Sequence, residues 1–164
     1  MRLRGRYGRV ERGGTMVEFA LTLPVFIILV VGIIEFGWYF FVQHTLQYAT
    51  REGMRLALVG RTLTDASGNS MSREASIIYT IRQEASLAVN PDSILISIYP
   101  IDPNNFSDPA NWQNTQTAGL SGAPMRVRTR VIHTFFTPLI RAFFPGGQII
   151  LQAEGTYRNE KFDE

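Results

Sequence analysis

Two carboxylates flank an apolar stretch near the N-terminus of this 164-residue chain. Glu18 stands at the start of the stretch and Glu35 at its end, and every residue between them is uncharged. Charge in hydrocarbon is costly, so acidic residues in such places usually have a partner or a function. Glu18 is suited to an interface, where a helix dipole and wet headgroups would stabilise it. For Glu35 we expect solvation at headgroup level, with a partner on another subunit as the alternative.

Few groups in the sequence are suited to catalysis or metal binding. The chain has no cysteine, which excludes disulfides, thiolate ligands and cysteine nucleophiles. His44 and His133 are the only histidines, and no further ligands lie near them at metal-binding spacing. No nucleophile-elbow motif is present. We therefore predict no enzymatic activity, no metal site, no cofactor and no small-molecule substrate.

The positive charge of the chain is confined to its first residues. Residues 1–12 contain five arginines and one glutamate, a charge of +4, whereas residues 13–164 carry −2, which gives the overall +2. This distribution argues against a nucleic-acid-binding face, which requires a basic surface on a folded domain. It fits a cytoplasmic flank under the positive-inside rule.

The apolar stretch has the length and composition of a membrane span. The uncharged core, residues 19–34, has 16 residues and is short for a span, but counting through residue 42 gives 24, enough to cross a hydrocarbon core of about 30 Å at about 1.5 Å per residue. Trp38 and Tyr39 fall where an aromatic belt would lie, and membrane helices tolerate a proline such as Pro24. A cleavable secretory signal and a buried core helix are the alternatives, but length, flanking charge and the aromatic end favour a span. We predict a transmembrane helix over 14–42, with the N-terminus cytoplasmic.

The helix is expected to continue beyond the membrane over 43–60. This segment contains no proline, its apolar residues recur at helical spacing, and Gly60 is suited to end the helix. Glu52 and Arg55 lie three residues apart and therefore share a helix face. Together with Arg51 they are expected to be exposed, with Glu52 and Arg55 as an intrahelical pair.

Residues 61–164 are predicted to form an α+β head. Turn-forming residues fill 61–72, and Ser72 is suited to cap an amphipathic helix over 73–89. Three later segments have strand character, and the connection before the last of them is apolar enough for a short helix. The order of one helix and three strands favours an antiparallel sheet with one face covered by helix. The predicted strands are 93–99, 125–135 and 147–158, and the connection is 137–145.

Two sets of side chains in the head have more than one interpretation. Three arginines alternate with apolar residues along the second strand, which indicates a solvated or edge-protecting face, or else a site for phosphate or an acidic partner. Four phenylalanines near the connection are expected in the head core, with an exposed partner patch as the alternative. The arginines are Arg126, Arg128 and Arg130, and the phenylalanines are Phe135, Phe136, Phe143 and Phe144.

Four sequence blocks in the N-terminal region resemble the TadE-like family. They are residues 13–19 (GGTMVEF), 20–24 (ALTLP), 32–37 (GIIEFG) and 49–55 (ATREGMR), in that order and at matching spacing. Proteins of this family are pseudopilins of the tight-adherence (Flp-type) pilus assembly system and distant relatives of type IV pilins. The resemblance covers about residues 12–60, and the head shares only the pattern of elements.

The resemblance implies a leader that a membrane-bound prepilin peptidase removes on the cytoplasmic side. The family pattern has glycine before the cut and glutamate at mature position five, followed by an aromatic residue. Glu18 and Phe19 then place the cut between Gly13 and Gly14, so that residues 1–13 form the leader. A cut after Gly14 ranks second, because it puts Glu18 at position four. In a pilin-like assembly, the Glu18 carboxylate would pair with the mature N-terminal amine of its own chain or of a neighbour.

The resemblance also implies where the protein acts. It would be a single-pass protein of the bacterial inner membrane, with its head on the periplasmic or extracytoplasmic side. Its partners would be the lipid bilayer, the prepilin peptidase, other pseudopilins or pilin, and the pilus assembly platform. The expected role is that of a minor pilin in the assembly of Flp-type pili. The resemblance also implies that Arg51, Glu52 and Arg55 share a role in packing the helical extension against the head or against partners. The alternative is a single-span periplasmic binding or adaptor module of a secretion system that does not enter a filament.

Overall fold

A single long helix, α1 (Val10–Leu58), forms the N-terminal part of the protein. The computed structural model describes residues 10–161, with side chains from residue 13 onward, so the arginine side chains of the predicted leader lie outside the described residues. The 49 residues of α1 extend over roughly 70 Å at about 1.5 Å per residue. Pro24 lies inside this helix without ending it.

Both ends of α1 can be compared with the sequence prediction. The helix begins at Val10, earlier than the predicted start at residue 14, and it includes the glycine pair, because a growing helix gains one backbone hydrogen bond for each added residue. It ends beside Gly60, as predicted. Gly60 has a φ of +67°, and its N–H donates to the Ala57 carbonyl at 3.1 Å, which closes the last turn.

The two halves of α1 have different surroundings. Every residue of 13–30 is exposed, although most of them are apolar. From Glu35 onward, one face of the helix is buried at intervals of three and four residues, the spacing of a helix that packs on a core. The head therefore holds only the C-terminal half of α1. The buried residues of this half are Glu35, Val42, Leu46, Ala49, Thr50, Gly53 and Ala57.

A second helix, α2 (Arg73–Ala85), packs against α1 in the head. Its N-terminus is capped as predicted, because the Ser72 hydroxyl accepts a hydrogen bond from the Ala75 N–H at 3.1 Å. The helix ends four residues before the predicted Val89. The chain tightens into turns after Ala85, ahead of a proline at position 91 that disfavours helical backbone in the residue before it.

The predicted α+β fold with a three-stranded antiparallel sheet is confirmed. Strands β1 (Leu95–Pro100), β2 (Pro124–Thr134) and β3 (Gln148–Arg158) lie in the order β1-β2-β3, with β2 in the centre. A short helix, α3 (Pro138–Arg141), lies in the connection between β2 and β3, also as predicted. β1 begins two residues later than expected, because Ser93 belongs to a 3-10 turn started by Pro91.

Helices α1 and α2 cover one face of the sheet and form the core with it. Alternate side chains of β2 and β3 point toward the helices, as predicted, and the apolar ones among them are buried in this core. The outer edge of β1 is paired with a loop: Ile98 donates to Thr115 and accepts from Thr117, both at 2.9 Å. This pairing satisfies backbone groups that an open edge strand would leave free.

Candidate functional site

The predicted processing residues all lie on the exposed part of α1. Gly13, Gly14, Glu18 and Phe19 are exposed, and a Cβ atom added at either glycine would meet no described atom within 4 Å. No described side chain forms a salt bridge with Glu18. Its position is about 26 Å along the helix from Glu35, where contact with the head begins. The structure therefore presents this segment away from the head.

Glu35 has a different environment from the one expected. It is only 3% exposed, so its carboxylate is not solvated. One carboxylate oxygen accepts a hydrogen bond from the Phe136 N–H, and the other accepts from the Thr137 N–H at 2.8 Å and from the Thr137 hydroxyl at 2.5 Å. The carboxylate thus satisfies two backbone donors that precede α3, and it joins α1 to the head of the same chain.

Aromatic packing holds the segment that Glu35 binds. Phe135 is fully buried and stacks on Phe144 with a centroid distance of 4.4 Å, which closes the connection on itself. The ring of His133 meets Tyr39 of α1 edge to face at 5.8 Å. The Arg141 side chain also donates to the Phe135 carbonyl at 2.5 Å. These contacts place the Phe136 and Thr137 amides against α1.

Further polar contacts fix α1 along the sheet beyond Glu35. The Gln43 side chain donates to the Gln152 carbonyl of β3 at 2.9 Å. Deeper in the core, the Thr50 hydroxyl shares a hydrogen bond of 2.7 Å with the Thr129 hydroxyl of β2. Both threonines are buried, so the pair sets the register of α1 on the sheet while leaving neither hydroxyl unsatisfied.

His133 lies in the aromatic group beside Glu35 and is buried. Burial lowers the pKa of His133 below its ordinary value of 6.5, and the nearby Glu35 charge opposes this shift without cancelling it. The described residues contain no group of three or more His, Cys, Asp or Glu side chains that could hold a metal ion. The other histidine, His44, is exposed on α1.

The shifted pKa of His133 predicts a pH dependence of stability. Because the folded protein resists protonation of this imidazole, the unfolded chain binds more protons, and folding stability should decrease as the pH falls below about 6.5. The measurement is the thermal unfolding midpoint of the full chain in detergent at about pH 7.5 and about pH 5.5. His133→Phe should flatten this difference, whereas the exposed control His44→Phe should leave it. An unchanged slope in His133→Phe would rule out His133 as the source.

The three arginines of β2 are not a solvated or edge-protecting face. β2 is the central strand, and Arg128 is only 9% exposed. Asp108, from the loop between β1 and β2, forms salt bridges with Arg126 at 2.5 Å and with Arg128 at 3.0 Å. Glu154 of β3 forms a further salt bridge with Arg128 at 2.5 Å. The interpretation as an exposed arginine face is therefore wrong, because the chain supplies its own acidic partners.

A tryptophan and a tyrosine complete this cluster on the outer face of the sheet. The guanidinium groups of Arg128 and Arg130 lie 4.2 and 4.6 Å from the ring centroid of Trp112. Burial raises the pKa of Tyr99 to about 12, and its hydroxyl donates to Asp108 at 3.1 Å. Burial acts to raise the pKa of Asp108, but the Tyr99 hydrogen bond and the arginine charges hold it below its usual value. The cluster anchors the long loop to the sheet.

Removal of the Arg128 charge should destabilise the head. Arg128→Met leaves the partly buried Asp108 with one partner fewer and removes the Trp112 contact, for an expected loss of about 2 kcal/mol in unfolding free energy. The measurement is urea unfolding of the full chain in detergent. Arg82→Met is the control, because the Arg82–Asp92 pair is 3.8 Å long and exposed, and should cost less than about 0.5 kcal/mol. Equal losses in the two variants would contradict a special role of Arg128.

The three charged residues of the α1 extension do not form a single cluster of contacts. Glu52 and Arg55 form an intrahelical salt bridge of 3.1 Å, with the Arg55 side chain largely exposed. Arg51 is exposed on another side of the helix, at a surface depression shared with Glu154 and Gly155 of β3. Any role of these residues in packing against partners stays a prediction.

The four phenylalanines near the connection are divided between core and surface. Phe135 is buried and Phe144 half-buried, whereas Phe136 and Phe143 are exposed. The expectation that all four belong to the head core is therefore wrong for two of them. Hydrophobicity along the sequence does not indicate which of these side chains face α1 and which face outward.

Several residues that organise the site were not predicted from the sequence. The Thr137-Pro138 pair is typical of a helix N-terminus, in which proline follows a capping residue. This pattern indicates backbone N–H groups that a carboxylate could bind. Asp108 and Trp112 had no comparable pattern, because both lie in an irregular polar loop.

Comparison with known proteins bears on the N-terminal part of the chain. Residues 13–55 match the model of the family described as TadE-like protein, a range that contains Glu18 and Glu35. No curated protein and no solved structure gives a significant match. Among the described residues, Gly13–Leu58 of α1 is long and apolar enough to cross a membrane. The resemblance is thus confirmed, and residues 13–55 form a TadE-like segment of the chain.

Proposed function

We propose that this protein is a membrane-anchored minor pilin, or pseudopilin, that takes part in the assembly of Flp-type tight-adherence pili. The observation that carries the proposal is the TadE-like match over residues 13–55, on a helix whose N-terminal half is exposed and apolar. Such a helix can cross a bilayer and can also pack against neighbouring helices in a filament. The role is structural rather than catalytic, with no cofactor.

The proposed orientation places the N-terminus in the cytoplasm and the head on the periplasmic side of the inner membrane. The charge of +4 in residues 1–12 supports this orientation through the positive-inside rule. A prepilin peptidase would cut between Gly13 and Gly14, which leaves a mature chain with a charge of −2. Removal of the arginines would also release the N-terminal end of α1 from its cytoplasmic flank.

Glu18 would then serve assembly, whereas Glu35 serves the fold. Glu35 is fully occupied by Phe136 and Thr137 of its own head. Glu18 is exposed and remote from the head, so its carboxylate is available to the mature N-terminal amine of its own chain or of a neighbour. Pairing would remove the cost of an isolated charge in the lipid-exposed assembly.

The test is the effect of Glu18→Ala on pili counted by electron microscopy and on the protein recovered from sheared pili. Without the Glu18 carboxylate, the mature N-terminal amine has no partner, and an unpaired charge in a membrane helix costs about 2.5–3.5 kcal/mol. The number of assembled pili should therefore fall by roughly tenfold or more. The protein should still reach the membrane fraction. Glu160→Ala, at an exposed position of the head, is the matched control and should leave piliation normal.

The result also separates the proposal from its alternative. Recovery of the wild-type protein from sheared pili, together with its loss from them in Glu18→Ala, would support the role of a minor pilin. Normal piliation in Glu18→Ala would reject the charge-pairing role. Retention of the wild-type chain in the inner membrane, with none in sheared pili, would instead favour an adaptor module that does not enter the filament.

A further inference from the structure

Five large apolar side chains are exposed at one end of the head. Two lie opposite each other on the outer face of β2 and β3, and three lie in the connection between these strands. At the other end of the sheet, the corresponding positions Arg126 and Thr156 are polar. The side chains, with their exposed fractions, are Ile132 (58%), Phe136 (66%), Leu139 (51%), Phe143 (78%) and Ile150 (64%). We refer to them as the apolar end of the head.

The apolar end lies where the head meets the membrane-spanning part of α1. Phe136 is the residue whose N–H binds Glu35. Phe136 and Thr137 also line an apolar groove with Val31, Ile34 and Trp38 of α1. The exposed apolar surface is therefore continuous from α1 onto the head along this groove, whose polar residues, Glu35 and Thr137, are buried and half-buried.

The length of α1 places this junction at membrane depth. Glu18 and Glu35 are 17 residues apart, which corresponds to about 26 Å of helix. A hydrocarbon core is about 30 Å thick. With Glu18 at the cytoplasmic boundary, the Glu35 carboxylate reaches the opposite boundary region rather than the aqueous phase beyond it. The backbone donors that surround Glu35 satisfy its charge at this depth.

We propose that the apolar end of the head inserts into the outer-leaflet interface of the bilayer, with lipid as its occupant. This proposal rests on the transmembrane placement of α1 in the proposed function. The connection between β2 and β3 would lie among the headgroups and the first acyl carbons, where Phe and Leu side chains bind favourably. Trp38 and Phe41 of α1, which are in ring contact at 5.5 Å, lie near the same level and suit the same interface.

The consequence is a second membrane attachment that fixes the orientation of the head. One helix crossing a bilayer leaves its extension free to change tilt with respect to the membrane plane. An inserted loop on one side of that helix restricts the tilt, because tilting away would expose its phenylalanines to water. The far end of the head, where the Glu160 N–H binds the Leu58 carbonyl, would then stand about 35 Å from Glu35 in the aqueous phase.

The absence of cysteine from the sequence permits a direct test with single-cysteine variants. The full chain carrying Phe143→Cys is labelled with an environment-sensitive fluorophore and reconstituted into vesicles of phosphatidylethanolamine and phosphatidylglycerol. Doxyl-labelled lipids, with the quencher near the headgroup or near the chain end, then report depth. Leu120→Cys is the matched control, since Leu120 is 69% exposed and its carbonyl binds Asn159 at the far end of the head. Ile27→Cys reports on the span.

The expected result is that shallow doxyl lipids reduce the fluorescence at position 143 by about twofold, while position 120 stays unquenched. Quenching at position 27 by the deep doxyl lipid, without any quenching at position 143, would overturn the inference and leave the span intact. A blue-shifted but unquenched label at position 143 would also overturn it, by indicating protein rather than lipid contact. Absence of quenching at position 27 would reject the transmembrane span and the inference together.

Discussion

Glu35→Leu is expected to release the connection between β2 and β3 from α1. The substitution leaves the Phe136 and Thr137 N–H groups and the Thr137 hydroxyl without the acceptor that now binds them. Each buried donor left without its charged acceptor destabilises the folded state by about 1–3 kcal/mol. We therefore expect the free energy of local opening of the connection to fall by about 3–4 kcal/mol. Hydrogen exchange of the two amides in the full chain should accelerate by more than about 100-fold.

Two further variants define this prediction. Glu35→Gln keeps an oxygen acceptor of similar shape, so it should lose less than Glu35→Leu. Glu52→Leu lies on the same helix but removes only an exposed salt bridge, and should cost less than about 1 kcal/mol. Protection of the Phe136 and Thr137 amides that is unchanged in Glu35→Leu would show that the carboxylate does not hold the connection.

Gly53→Leu is expected to separate α1 from α2. A Cβ atom at position 53 would lie 2.4 Å from Cγ1 of Ile81, so a larger side chain cannot enter without displacing one helix. Overpacking costs about 1–3 kcal/mol, and the better helix propensity of leucine recovers only about 0.8 kcal/mol. We expect a net loss of up to about 2 kcal/mol in the urea unfolding of the full chain in detergent.

The second helix offers a compensating change for this variant. Ile81→Ala alone leaves a cavity, with an expected cost of about 2–5 kcal/mol, whereas the combined Gly53→Leu and Ile81→Ala variant refills that space. The combination should therefore be more stable than the sum of the two single effects predicts. Gly37→Leu is the control, because a Cβ atom there meets no described atom within 4 Å. Strict additivity in the double variant would contradict the close contact of the two helices.

The elements of the fold followed from hydrophobic periodicity. The apolar run and the helical spacing beyond it predicted α1 as one helix, and Gly60 marked its end because a residue with positive φ suits that turn. Alternation along β2 and β3 predicted which side chains face the core. These features depend on local sequence, which is why they could be predicted without knowledge of distant contacts.

The contacts that organise the site depend on residues far apart in the chain. Glu35 binds backbone amides about a hundred positions away, and backbone donors carry no sequence pattern of their own. Arg128 was expected to be exposed because its partner Asp108 lies in an irregular loop whose path the sequence does not indicate. Phe136 and Phe143 were expected in the core because hydrophobicity alone does not distinguish a protein interior from a lipid surface.

Two carboxylates of α1, Glu18 and Glu35, differ in their partners and in their proposed roles. Glu35 is satisfied within its own chain, and it connects the helix with the apolar end of the head. Glu18 has no such partner in the head, and its proposed partner is a mature N-terminal amine that exists only after the leader is removed. Processing at the glycine pair is therefore the step on which the proposed function depends most.

The most direct test is the intact mass of the membrane-extracted chain, produced with an active prepilin peptidase or with a peptidase lacking its catalytic aspartates. With the active enzyme, we expect a chain that has lost residues 1–13 and begins at Gly14. With the inactive enzyme, the chain should still begin at Met1. A chain that begins at Met1 with the active peptidase would rule out processing at the glycine pair, and a chain that begins at Thr15 would contradict the placement of Glu18 at mature position five.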